Sequence, residues 1–284
     1  RDYAGTLALA CPSNTFTGSV VLKSGIAEVT RLANAGQPSS LGAASGPNAT
    51  VLLGNRRFSL SGGVRYVGVD PATTDRPFSF VRLASIDNSS PSGAGLTFNG
   101  AWAAADITNA GNAYLSLSGT SAGVNTLNAS LANAPGGLNA LIVNVKGGVW
   151  AFTQPSTYAG NCTIEGGTVL ANCTSAGGLG AGRVIVMPGG TLGGTGLVTS
   201  TGSVLQYAGS IISPGDPAVN GGLGCLTYGT TLGLSGVRLR CQVTATTNDS
   251  IKVNAAVTVP GFMSVELVAA SAAVCPASLR IIEA

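Results

Sequence analysis

The stretch Asn14 to Val29, NTFTGSVVLKSGIAEV, returns in type at Ser156 to Ala171, STYAGNCTIEGGTVLA. Thr15 matches Thr157, Phe16 matches Tyr158, Gly18 matches Gly160, Leu22 matches Ile164 and Gly25 matches Gly167. A strand, a glycine turn and a second strand recur. Self-similarity of this kind marks architectures in which one small unit stacks on the next, because a single unit cannot bury its apolar face alone. Phe16 and Tyr158, locked into the repeat, are expected to pack inside.

Around these units the chain produces short alternating runs such as VRYVGV, YLSLSG, ALIVNVKGG, RVIVMPGG, VRLRCQV and IKVNAAVTV, separated by Gly, Asn or Pro. Alternation sends successive side chains to opposite faces, so each run has one apolar side to bury. Helices would need charged residues on their solvent faces, and charged residues make up only 9% of the chain. The expected class is therefore all-β. A pair of sandwich domains would need a polar linker, and none is evident. The repeat favours one continuous solenoid domain over residues 1–284, with a less regular insertion around 85–105. Its polar part, Ser85 to Gly95, reads as a loop protruding from one coil.

The same residues exclude several functions. A net charge of +3 with scattered basic residues gives no footprint for nucleic acid. No run approaches the roughly 20 apolar residues of a spanning helix. With no initiator Met, signal peptide or anchor, the chain reads as a segment of a processed protein. There is no His, which removes His-based triads and argues against zinc hydrolysis. Acids are sparse: Asp70, Asp75, Asp87 and Asp106 show the only local density, and they read as turn capping and, for Asp75 with Arg76, a local ion pair. The strings GGLGAG and PGGTLGGTG lead into further strand rather than a helix, so they are corners and not phosphate loops. No catalytic, cofactor or metal site is expected. Trp102, Trp150 and Tyr158 are the candidate sugar-stacking rings, weighed against a packing role.

The segment Thr153 to Gly196, TQPSTYAGNCTIEGGTVLANCTSAGGLGAGRVIVMPGGTLGGTG, resembles the autotransporter-associated β-strand repeat, including its closing G-G-T-L-G-G-T-G. Ser213 to Gly215 and LTYGTTLGLSGVRLRCQV resemble the coils that follow it. LANAGQPSSLGA, GGVRYVG and ATTDRPFSF are similar to other parts of such passengers. The resemblance implies a right-handed parallel β-helix, exported to the bacterial surface or beyond it. Six cysteines depart from the family's usual scarcity of that residue.

No C-x-x-C pair exists, and an even count in an exported protein suggests disulfides. Cys162 and Cys173 flank one repeat unit and share parity with Ile164, Val169 and Ala171. Cys225 and Cys241 lie about one coil apart, although Cys241 falls with Val237 and Leu239 whereas Cys225 falls opposite Leu226. Cys11 and Cys275 remain, near opposite ends. Coils of about 22 residues rising about 4.8 Å give a rod of roughly 60 Å, whereas a disulfide tolerates a Cα separation of about 4.4 to 6.8 Å. These two could meet only between molecules. The leading expectation is thus a non-enzymatic extracellular structural subunit, associating with itself head to tail into a fibre. The alternative is an adhesin or glycan-binding passenger, and a third reading is a polysaccharide-degrading enzyme.

Overall fold

The computed structural model describes residues 5–55, 61–105, 111–135, 140–202, 204–218, 220–269 and 280–283. The fold is a parallel β-helix. Strand stacks on strand in parallel register throughout the ladders. The only helical turns described are short 3₁₀ pieces at Gly46–Ala49 and Asn220–Gly222. Among the described residues no helix is long and apolar enough to cross a membrane. The chain divides into two compact units, Arg1–Val149 with Thr157–Gly160, and Trp150–Ser156 with Asn161–Ala284.

In the first unit one wall stacks Thr6–Leu9, Gly25–Val29, Ser61–Tyr66, Leu83–Asn88, Ala113–Ser118 and Leu141–Val145. A second wall stacks Val20–Leu22, Val51–Gly54, Phe78–Val81, Trp102–Ala104 and Leu131–Ala132. A third holds Ala72–Thr74, Leu96–Phe98 and Val124–Leu127. Alternation decides which side chains enter: Ala113, Leu115 and Leu117 are buried, while Tyr114, Ser116 and Ser118 stand outward. Register then aligns Ala27, Val64, Ile86, Leu117 and Val145 into one buried column. Each Val, Ile or Leu side chain of the column contributes about 1.5–3 kcal/mol on burial.

Residues 85–105, expected as a less regular insertion, instead supply parts of all three walls. Polarity misled there because the polar residues occupy corners and the outward face. Inside that coil Trp102 packs against Phe98 at 4.9 Å, Phe78 at 5.4 Å and Phe80 at 5.6 Å between ring centroids. At the corner beyond, a buried amide pair joins two walls: Asn88 Nδ2 donates to Asn125 Oδ1 at 2.6 Å and to the Ala94 carbonyl at 2.8 Å. Asn125 in turn donates to the Val149 carbonyl.

The second unit builds its own column, in which Val169, Leu192, Ile212 and Leu239 are fully buried in register. The last strand of that ladder, Ser264–Ala269, sets Val265 over Leu239, and there the side chain is 44% exposed.

The sequence repeat is structural at its corner, where Gly25 and Gly167 both take left-handed backbone. At Gly25 a Cβ would also strike the Gly5 carbonyl oxygen. Its aromatic partners diverge. Tyr158 is buried as expected, whereas Phe16 is 46% exposed. The neighbour of Tyr158, Thr157, hydrogen-bonds back to Leu131 in the preceding coil, while the carbonyls of Asn14 and Phe16 accept from Ser39 and Ala43 in the chain that follows.

Candidate ligand-binding cleft

The site follows from an irregular turn. Asn161 and Arg183 sit on adjacent coils 22 residues apart, while Glu28 and Arg65, also on adjacent coils, are 37 apart. The additional chain leaves the ladder after Val29 and stands opposite the segment that leaves after Tyr66. Between the two lies a cleft of about 840 Å³, lined among others by Arg31, Asn34, Gln37, Val69, Asp70 and Thr73.

Both banks are pinned by hydrogen bonds. Buried Ser40 accepts from the backbone N–H groups of Thr30 at 3.2 Å and Arg31 at 3.1 Å. Asp75 accepts the Ala35 N–H at 2.6 Å, and Asn34 accepts the Asp75 N–H at 3.0 Å. Arg76, 1% exposed, donates to the carbonyls of Leu41 at 3.2 Å and Gly42 at 2.7 Å. Burial lowers its pKa, and the charge of neighbouring Asp75 opposes part of that shift. On the facing bank Tyr66 donates its hydroxyl to the Asp70 carbonyl at 2.5 Å, and Ser90 donates to the Gly68 carbonyl at 2.7 Å. Burial, then the Asp70 charge, raise the Tyr66 pKa, so the phenol keeps the proton it donates.

A charged column runs along the wall from which both banks leave. Register places Glu28, Arg65, Asp87 and Ser118 side by side on the outer face of the first wall. Arg65 approaches Glu28 and Asp87 at 3.3 Å each, and Ser118 and Ser89 donate to Asp87 at 2.8 and 2.5 Å. Sequence reasoning missed this cluster because its members come from successive coils. Each carboxylate there is already held by the arginine or by hydroxyls, so the column orders the outer face rather than offering a free acid and base. Among the described residues no three His, Cys, Asp or Glu side chains converge to hold a metal ion.

No family model matches the chain. Over 189 residues it is 32% identical to the adhesin BmaC autotransporter of Brucella suis biovar 1 (strain 1330). The chain resembles part of an autotransporter adhesin. The aligned region takes in 66% of this chain and 5% of that protein, so the chain spans about a twentieth of that relative's length.

Of the residues singled out from sequence, Asp70 lies on the cleft and Asp87 in the charged column, while Asp106 lies outside the described residues. Asp75 does shape a turn and its charge acts on Arg76, whose hydrogen bonds however go inward to the Leu41 and Gly42 carbonyls. Trp102, Trp150 and Tyr158 are all in the core, which removes them as sugar platforms. Cys173, Cys225 and Cys241 are free thiols, so neither the Cys162–Cys173 nor the Cys225–Cys241 bridge is formed. Geometry gives the reasons. Cys162 stands in the wall of Val184, whereas Cys173 follows strand Thr168–Ala171 of another wall and turns to Ser175. Cys225 is exposed on one sheet and Cys241 buried in another, as their opposite parity suggested. Burial, then the charge of Asp249, push the Cys241 thiol up to about 11. Cys11 is exposed just beyond strand Thr6–Leu9, and Cys275 lies outside the described residues.

Proposed function

We propose that this chain is a length of an exported, adhesin-like surface protein in which a parallel β-helix holds binding loops away from its ladder. The observation that carries this reading is the 32% identity over 189 residues to part of an autotransporter adhesin. The pinned cleft agrees with it, because loops on a rigid scaffold are the usual place for contact with partners. Its role is display and adhesion outside the cell, without turnover of substrate. An antibody against this chain should label intact source cells, and external protease should remove the label. Label that appears only after lysis overturns the reading.

Head-to-tail self-association is a second reading, for which Cys11 offers an exposed thiol. The crosslink would join Cys11 to Cys275 of a second copy. A ladder on non-reducing gels that collapses with reductant supports it, and a single monomer band rejects it.

A further inference from the structure

We propose that the cleft between the Thr30–Gln37 and Val67–Thr73 segments is a binding site for a neutral oligosaccharide, an assignment that deepens the adhesin-like reading and rests on it. The backbone on both banks is fixed by Ser40, Asn34, Asp75, Tyr66 and Ser90. Three polar side chains that line the cleft are free by contrast. Among the described residues none hydrogen-bonds or ion-pairs with the Arg31 guanidinium, the Gln37 amide or the Asp70 carboxylate, and all three are exposed. A held backbone carrying uncommitted polar groups loses little order on binding, which is what a preformed site requires.

The chemistry of those groups selects the ligand class. Guanidinium, carboxylate and amide are planar, with paired donors or acceptors spaced to meet two neighbouring hydroxyls at once. Beside them Val69, 60% exposed, and Pro71 give a small apolar surface for the C–H face of a sugar ring. Charge argues against an acidic ligand. Arg31 and Asp70 are the charged residues of the lining, and they offset one another. A volume of about 840 Å³ lies within the range of roughly 300–1,000 Å³ of small-molecule sites, toward its upper end, and suits several linked rings better than one.

The test uses the whole chain on a glycan array, followed by calorimetry with the best neutral oligosaccharide. Asp70→Asn and Gln37→Ala should each weaken binding about tenfold, with melting temperatures unchanged, while raising salt from 50 to 500 mM should change affinity less than threefold. Binding confined to acidic glycans or to peptides overturns the proposal, as does neutral-glycan binding that both variants leave intact, or no binding at millimolar ligand. Surface labelling of cells reads out separately. A surface-exposed protein that binds no glycan sinks this inference and spares the adhesin-like reading, whereas an unlabelled surface sinks that reading whatever the array shows.

Discussion

One turn in the first unit takes 37 residues and one in the second takes 22, yet each returns to a parallel ladder with its apolar column in register. The ladder is indifferent to how much chain is extruded between coils, since its register depends on which side chains face inward and not on loop length. In the second unit the shorter turn spends little chain outside the walls. In the first, the surplus becomes two facing banks and a cleft. Scaffold and site are thus separable parts of one chain, and that separation can be tested.

The largest effect should come from striking the scaffold beneath the site. Trp102→Ala removes the ring against which Phe78, Phe80 and Phe98 pack, and should cost about 3–5 kcal/mol in urea unfolding. A loss below about 1 kcal/mol would mean that this coil is not a cooperative part of the ladder. Next, thiol chemistry distinguishes walls from surface. A thiol with its pKa pushed up to about 11 is about one-thousandth ionised at pH 8, and Cys241 is buried besides. Iodoacetamide should therefore label exposed Cys11 and Cys225 at least about 100-fold faster than Cys241 in the folded protein. Comparable rates would contradict the inward placement of Cys241.

A smaller and more local effect is expected at Arg76. Arg76→Ala leaves the buried Leu41 carbonyl without its Arg76 donor, while Gly42 keeps the Ser39 hydroxyl, at about 1–3 kcal/mol. Hydrogen exchange should quicken over residues 39–44 and stay slow along the Ser61–Tyr66 strand. Uniform quickening would show that loop and ladder are one unit. The smallest effect should follow insertion of four Gly/Ser residues after Gly36, which is exposed and left-handed. Loop closure grows only with the logarithm of length, so less than about 1 kcal/mol should be lost.

Much of the ladder was legible because its rule is local. Alternation in YLSLSG and the glycine at Gly25 and Gly167 depend on residues a few positions apart, and both appear as read. The cleft was not legible, because its banks are irregular and are held by contacts such as Arg76 with Leu41, 35 residues away. The outward column of Glu28, Arg65 and Asp87 needed the register itself, which loops of unequal length conceal. The arginine beside Asp75 illustrates the limit of local reading. Adjacency suggested a local ion pair, whereas the hydrogen bonds of the guanidinium go inside to two distant carbonyls.

Interchangeable Val, Leu and Ile side chains make poor address labels: a column of them would accept a neighbour displaced by a whole coil almost as readily as the correct one. The buried Asn88–Asn125 contact is different in kind, because each amide has directional demands that an aliphatic neighbour leaves unmet. A chain that stacked one turn out of step would bury both amides without partners, at about 1–3 kcal/mol for each unmet group. This pair therefore acts as a keyed joint, letting a growing stack distinguish one storey from the next while the aliphatic residues supply most of the cohesion.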